Sequence, residues 1–400
     1  MTINSVLNEV LEQISVSKKE EAMLKKTADI FCKKIPNSTL GGSLAKGTMI
    51  KKRMQDVDIF VVFDNEEGTR KLEEILRKKN LKLKKLHGSR DYFQIKSSDV
   101  LVEIVPVVKV KKAEDVQNVT DFSLSHVSYV RRKLQKNKKL HDEIKLAKVF
   151  CYANDCYGAE SYISGFSGYA LELLIIYFGS FVKFLRGIQK KKFVDIEKNF
   201  KNEWETRNEI NTSKLQSPLV VVDPTYKYRN VCAGLSEETF SRFLSSAKGF
   251  LKKPSYDFFE KKDFDVERFK KKKGKFIELK FETNRQGGDI AGTKMKKFFK
   301  FLIKELERKK QKVAASEFVY FGEGSEAKAF LRVREKKVID VRGPSLSDKK
   351  AVGAFKKVRR KIYKKAGFAW AKEKIDIENV FKKSMMIAGE MGISNFLWIA

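Results

Sequence analysis

Two aspartates, Asp56 and Asp58, stand one residue apart inside the apolar run "DVDIFVVF". A strand has a side-chain period of two, so both carboxylates share one face while Val57 and Ile59 take the other. Like charges this close repel unless a cation lies between them. A hard divalent ion such as Mg²⁺ takes carboxylate oxygens and keeps positions open for substrate phosphates. The preceding stretch, "LGGSLAKGT", supplies Gly41, Gly42 and Ser43, which allow close backbone approach to a phosphate, with Lys46 and Thr48 as further donors. It is neither a Walker loop nor a dinucleotide fingerprint, because the Gly-Lys-Ser/Thr of the first and the glycine spacing of the second are both missing. A phosphate-binding turn beside metal-binding carboxylates suits nucleotidyl transfer, in which a 3′-hydroxyl attacks an α-phosphate and pyrophosphate leaves. Glu103 in "VLVEIVPVV" offers a third acid, since a charge in such surroundings needs a partner and a metal is the natural one.

Placing these side chains requires an α/β arrangement. The sequence reads as an opening amphipathic helix, a strand at 56–63, a helix at 66–79, then two strands around a Lys-Ser-Ser-Asp turn. Residues 136–190 read as helical, with "GYALELLIIYF" apolar enough to be a buried helix. "SPLVVVDPTYKYRNVCAGLS" gives a short strand, a proline turn and a helix N-cap at Ser236. Beyond a lysine run, strands are expected near 276–282, 316–322 and 328–334, followed by a basic helix over 350–365 and a C-terminal helix. The fold class is therefore α/β plus α+β, in three domains: 1–135, 136–262 and 263–400.

Charge points to the partner. The chain of 400 residues has a formal net charge of +33. Residues 261–400 hold 38 Lys or Arg against 18 Asp or Glu, a net of +20. That balance favours a polyanion, nucleic acid before anionic membrane. No apolar run approaches the roughly 20 residues of a membrane span, and the N-terminal stretch lacks the apolar block of a signal peptide. Cys32, Cys151, Cys156 and Cys232 are scattered through mostly apolar sequence, which fits buried thiols in a reducing cytoplasm and no zinc site. In "KKAVGAFKKVRRKIYKKAG" a helix would align Val352, Phe355, Val358 and Ile362 as an anchoring stripe. Lys356, Lys357, Arg359, Arg360 and Lys364 would then turn outward as a phosphate-tracking surface.

Gly-Ser, then Asp-x-Asp, then a third carboxylate resembles the DNA polymerase β-like nucleotidyltransferase superfamily. "GGSLAKGT…DVDIFVVF", "VEIVPV", "VTDFSLSH", "YGAESYISGFSGYALELLI" and "VVVDPTYKYRNVCAGLS" resemble the archaeal-type (class I) CCA-adding enzymes, over roughly residues 40–260. The resemblance implies a catalytic head, a helical middle domain completing the nucleotide pocket, and a basic α+β region binding the tRNA acceptor end. It implies that Asp56, Asp58 and Glu103 hold two Mg²⁺ ions, typically about 3.5–4 Å apart in such sites. It places Gly42, Ser43 and Lys46 on the β- and γ-phosphates of CTP or ATP. His126, Lys148 and Tyr157 match positions on the triphosphate and sugar, and Arg229 matches an arginine that reads the base. Two of these depart from the family pattern: Glu103 replaces an aspartate, and Lys46 stands where arginine is frequent. Each also has a plain alternative, such as Arg229 pairing with Asp223 as a loop staple. The implied activity is template-independent addition of the tRNA 3′-terminal CCA, in the cytoplasm, with a homodimer left open. A terminal RNA adenylyltransferase and a catalytically inactive RNA-binding module are the competing readings.

Overall fold

The computed structural model describes every residue except 1, 53, 98, 111–114, 117, 286, 323, 360 and 400. The chain divides into two compact units, Met1–Ala159 with Ile163–Lys262, and Glu160–Tyr162 with Asp263–Ala400.

The first unit opens with helix α1 (Ile3–Ile14) and helix α2 (Lys18–Lys34), the latter begun by a Ser17–Glu20 capping box. The head follows: β1 (Ser38–Leu40), α3 (Gly42–Lys46), β2 (Gln55–Phe63), α4 (Glu66–Thr69), α5 (Leu72–Arg77), β3 (Lys84–Leu86), β4 (Tyr92–Ser97) and β5 (Val100–Val108). Its sheet runs β1-β2-β5-β4-β3, with β2 and β5 parallel and the other pairs antiparallel. Val57, Ile59, Val61, Val102 and Ile104 point into a core shared with Leu24 and Ala28 of α2. Alternation leaves the other face of β2 and β5 to Asp56, Asp58 and Glu103. The helix expected over 66–79 is two short helices, because the chain breaks at Arg70–Lys71.

A helical layer completes this unit: α6 (Ser123–Lys136), α7 (Leu140–Ala153), α8 (Gly168–Phe178), α9 (Phe181–Gly187), β6 (Phe193–Val194), α10 (Glu203–Glu209), β7 (Val220–Asp223), β8 (Tyr226–Asn230) and α11 (Glu237–Lys252). Ser236 caps α11 by accepting from the Thr239 amide. Helix α8 is apolar nearly all round and sits in the core, with Phe150, Phe181, Phe184 and Phe243 packed largely edge-on around it. Helix α1 buries Val6, Leu7, Val10 and Ile14 in that same core. The opening segment of the expected head therefore packs with the helical layer, since its apolar stripe fits there and only α2 reaches the sheet. No single described helix is long and apolar enough to cross a membrane. Residues 168–178 and 181–190 together have the length and apolarity, but they meet at 91°. All four cysteines are free thiols; Cys32 is half-buried and the others are buried.

The second unit comprises α12 (Val266–Lys270), β9 (Lys275–Glu282), α13 (Asp289–Arg308), β10 (Lys312–Val319), β11 (Glu326–Arg334), β12 (Val338–Ser345), α14 (Lys349–Val358), β13 (Ile362–Lys365), β14 (Phe368–Lys374), α15 (Ile377–Ala388) and β15 (Asn395–Ile399). One antiparallel sheet runs β10-β11-β9-β15 and packs α13 and α15 on its apolar face; another runs β12-β14-β13. The basic helix is shorter than expected. It ends at Val358, and Ile362 and Lys364 lie on strand β13. The cause is a two-residue hairpin between β13 and β14, in which Ala366 (φ 49°) and Gly367 (φ 76°) both take the left-handed conformation of a tight reversing turn. The expected apolar stripe anchors only in part: half-buried Phe355 lies over Gly343 of β12, while Val358 is 78 % exposed. The expected C-terminal helix is α15, and strand β15 follows it.

Candidate active site

Register brings the acids together. Asp58 of β2 lies directly opposite Glu103 of β5, and Glu103 lies opposite Gln94 of β4. Asp56 is two residues along the same face. Glu103 accepts from the Gln94 amide at 2.6 Å, and Asp56 accepts from the Lys52 ammonium at 2.5 Å. Burial first, and then the Asp58 carboxylate, push the Glu103 carboxyl up to about 7. Burial and the Asp56 charge likewise raise Asp58. Among the described residues no group of three acids, cysteines or histidines is placed to hold a metal ion; Lys52 and Gln94 each bond one of these carboxylates. Even so, carboxylates that resist ionising because of each other fit a divalent cation, which would relieve that repulsion.

The approach of α3 is set by glycine. Gly42 has φ +60°, and a Cβ there would fall 1.6 Å from Asp58 Oδ2. The Gly41 amide donates to the Asp58 carbonyl at 2.8 Å. The Gly-Ser turn is thus pressed against the aspartate strand, and Ser43 joins Thr48, Lys52, Asp56, Lys148 and Tyr157 in lining one cleft.

Two buried charge clusters support the surroundings. Lys148, which a helix position alone would leave solvated, is 3 % exposed. Its Nζ meets Glu172 Oε1 at 2.8 Å, Thr48 Oγ1 at 2.9 Å and the Thr48 carbonyl at 3.2 Å. Lys46 Nζ reaches Glu172 Oε2 at 2.7 Å. Sequence reasoning missed Glu172, although its signal was available as the one acid within the apolar helix "GYALELLIIYF". The second cluster centres on Asp223, which is fully buried. It accepts from Arg229 Nη1 at 2.6 Å and Tyr169 Oη at 3.1 Å, and bonds His126 Nε2 at 3.0 Å. His126 stacks on Tyr169 with ring centroids 3.9 Å apart. Burial lowers the His126 pKa, whereas His126 and Arg229 hold the Asp223 carboxyl below its usual range against the effect of its own burial. The Arg229–Asp223 staple is therefore present.

The basic surface of the second unit is partly engaged. Lys356, Lys357 and Lys364 are exposed. Arg359 lies over the Phe355 ring at 4.5 Å and pairs with Glu373 at 3.4 Å. Arg360 lies outside the described residues.

A glycine-serine turn pressed against a strand of alternating aspartates, with a third acid on the next parallel strand, defines a polymerase β-like nucleotidyltransferase. The family model for a nucleotidyltransferase domain matches residues 24–120, and that for the second domain of tRNA nucleotidyltransferase matches residues 142–260. The chain is 34 % identical over 293 residues to a CCA-adding enzyme of Nanoarchaeum equitans, covering 72 % of this chain and 70 % of that one. It is 33 % identical to those of Sulfurisphaera tokodaii and Methanocaldococcus jannaschii, covering 64 % and 65 % of this chain and 61 % and 62 % of theirs. The chain belongs to the CCA-adding enzyme family. Its fold is similar to that of a solved cytoplasmic RNA terminal U-transferase, at TM-score 0.52 and 15 % identity over 66 % of this chain and 99 % of that one. Enzymes of this nucleotidyltransferase class generally use divalent metal ions.

Proposed function

We propose that this protein adds or repairs the 3′-terminal CCA of tRNA from CTP and ATP without a template, releasing pyrophosphate. The observation that carries the reading is the Asp58–Glu103 pairing across β2 and β5, with Asp56 on the same face and the Gly42–Ser43 turn against it. Asp56, Asp58 and Glu103 would hold two Mg²⁺ ions, which when bound supply Lewis-acid charge for the attacking hydroxyl and the triphosphate. Ser43 and Lys46 would hold the phosphates, with Tyr157 and Lys148 beside them. Arg229, held by Asp223, would present donors to the base, and His126, bonded through Nε2 to the same carboxylate, would meet the sugar. The setting proposed is cytoplasmic. The direct test incubates the protein with radiolabelled CTP and tRNA lacking its CCA end. Incorporation of CTP supports the reading. A terminal adenylyltransferase would ignore CTP, and an inactive binding module would incorporate nothing.

Arg229 supplies a sharper check. Cytosine and adenine share an amino donor beside an accepting ring nitrogen, whereas uracil and guanine present a carbonyl beside a ring N–H. A guanidinium only donates. Both side-chain bonds of Arg229 among the described residues run through Nη1, and Asp223 holds that nitrogen. Facing uracil or guanine, a donor would meet a donor, at a cost of about 1–3 kcal/mol. Arg229→Ala should therefore slow CTP and ATP addition and narrow their advantage over UTP and GTP in kcat/KM. A slower variant with unchanged discrimination would leave Arg229 as the Asp223 staple alone.

The exposed lysines of α14 and β13 are proposed to track tRNA phosphates. Reversing Lys356, Lys357 and Lys364 to glutamate should weaken tRNA binding and flatten its log–log salt dependence by roughly 0.7–0.9 per lost phosphate contact. CTP affinity should be unchanged. An unaltered salt slope would leave these cations as a solubility feature.

A further inference from the structure

Glu172 is the one acidic residue of α8 and is 0 % exposed. An isolated carboxylate there would carry a penalty of several kcal/mol, so its partners explain its presence. Three donors converge on it: Lys46 Nζ at 2.7 Å on Oε2, and Lys148 Nζ at 2.8 Å and Thr48 Oγ1 at 2.7 Å on Oε1. Burial alone would raise this carboxyl, but the Lys148 and Lys46 ammoniums hold it down to about 2.

Neutrality needs only one of those lysines. Lys148 already satisfies Glu172, and its remaining bonds go to Thr48. The Lys46 side chain is only 10 % exposed and brings a second ammonium to Glu172, with Asp58 as a further charged neighbour of both lysines. A plain buried pair needs only one lysine. The second is placed to meet an arriving anion beside the acids. The cluster also joins separate elements: Lys46 ends α3, Thr48 follows it, Lys148 is on α7 and Glu172 is on α8. The first turn of α8, at Gly168, abuts the Tyr157 hydroxyl and Lys148 Nζ, so the positive end of a helix faces the same place. Lys148, Thr48 and Tyr157 line the cleft that also holds Ser43 and Asp56.

We infer that Glu172 is a positioning residue for the triphosphate of the incoming nucleotide, holding the Lys46 and Lys148 amino groups together where they can meet the phosphates. This rests on the nucleotidyl-transfer reading above and adds to it a residue that touches no substrate. Glu172 acts on binding, through the two lysines, and not on the reacting atoms.

The test measures inorganic tripolyphosphate and CTP binding to the protein without tRNA by calorimetry, alongside steady-state kcat and KM. In Glu172→Gln, both dissociation constants and the KM for CTP and ATP should rise about tenfold or more, the effect of losing a charge-assisted contact to phosphate. The kcat should change less, and the KM for tRNA should stay as in wild type. In a Lys46→Met background the same change should cost markedly less, because Glu172 works through that lysine. If Glu172→Gln does not fold, Glu172→Asp keeps the charge but cannot reach both lysines, and an intermediate loss of tripolyphosphate affinity is expected. A folded variant, Gln or Asp, that binds tripolyphosphate as wild type does would overturn the role of Glu172 alone. Wild-type protein that binds neither tripolyphosphate nor CTP would overturn the nucleotide site itself, and this inference with it.

Discussion

Asp58→Ala is expected to abolish nucleotide addition while leaving tRNA affinity nearly unchanged. Asp58 faces Glu103 across the parallel pair β2–β5 and shares its face with Asp56, so its loss dismantles the proposed metal site without touching an RNA-binding side chain. A metal clamp on transferring phosphate is worth several kcal/mol, and each ~1.4 kcal/mol is tenfold in rate, so addition should fall by roughly 10³-fold or more. The same substitution should not weaken the metal-free fold. Burial and Asp56 raise the Asp58 carboxyl above its value of 3.8 in an ordinary setting. A carboxyl whose folded pKa is raised costs stability once ionised, and that cost grows as pH climbs through the folded value. At neutral pH without divalent ions, the variant should therefore unfold at a temperature equal to or above that of wild type. Added Mg²⁺ should stabilise wild type and not the variant. Addition at more than a few per cent of the wild-type rate, with tRNA lacking CCA as substrate, would show that the metal site lies elsewhere.

Gly42→Ala should be nearly as damaging, for a purely steric reason. The new Cβ would sit 1.6 Å from Asp58 Oδ2 and 2.4 Å from its Cγ, and φ +60° disfavours a side chain in any case. Either Asp58 swings away from Glu103 or α3 lifts off β2, and both break the proposed geometry. Addition should fall by about two orders of magnitude or more, since a displacement near 1 Å already costs about 10²-fold. Unlike Asp58→Ala, this variant should also lose about 1 kcal/mol or more of stability from backbone strain. Parallel assays of addition and urea unfolding distinguish the two. A Gly42→Ala protein with wild-type activity would mean that the turn need not touch the aspartate strand.

Some of this was legible without coordinates. The alternation of Asp56 and Asp58 with Val57 and Ile59 follows from the strand period, which is a local property, and the structure buries Val57 and Ile59 accordingly. The N-cap at Ser236 and the apolar helix α8 were equally local readings. The hairpin at Ala366–Gly367 was not read, because alanine stands where such a turn ordinarily has asparagine, aspartate or glycine and only Gly367 hints at it. The run of cations over 356–365 suits a helix as well as a strand, and the turn decided the matter.

What the sequence by itself determined is the set of chemical groups and the face each takes within its own element, because side-chain period is fixed by backbone geometry. Tertiary structure decided which groups meet. Glu103 lies 45 positions after Asp58 in the chain, and only the parallel register of β2 with β5 sets them opposite each other. Glu172 lies 126 positions from Lys46 and 24 from Lys148, on separate elements whose packing follows from their apolar faces and not from any charged residue. A buried ion cluster is built by elements that bury hydrophobic surface first, and its charges are legible only once that packing has placed them within hydrogen-bond reach.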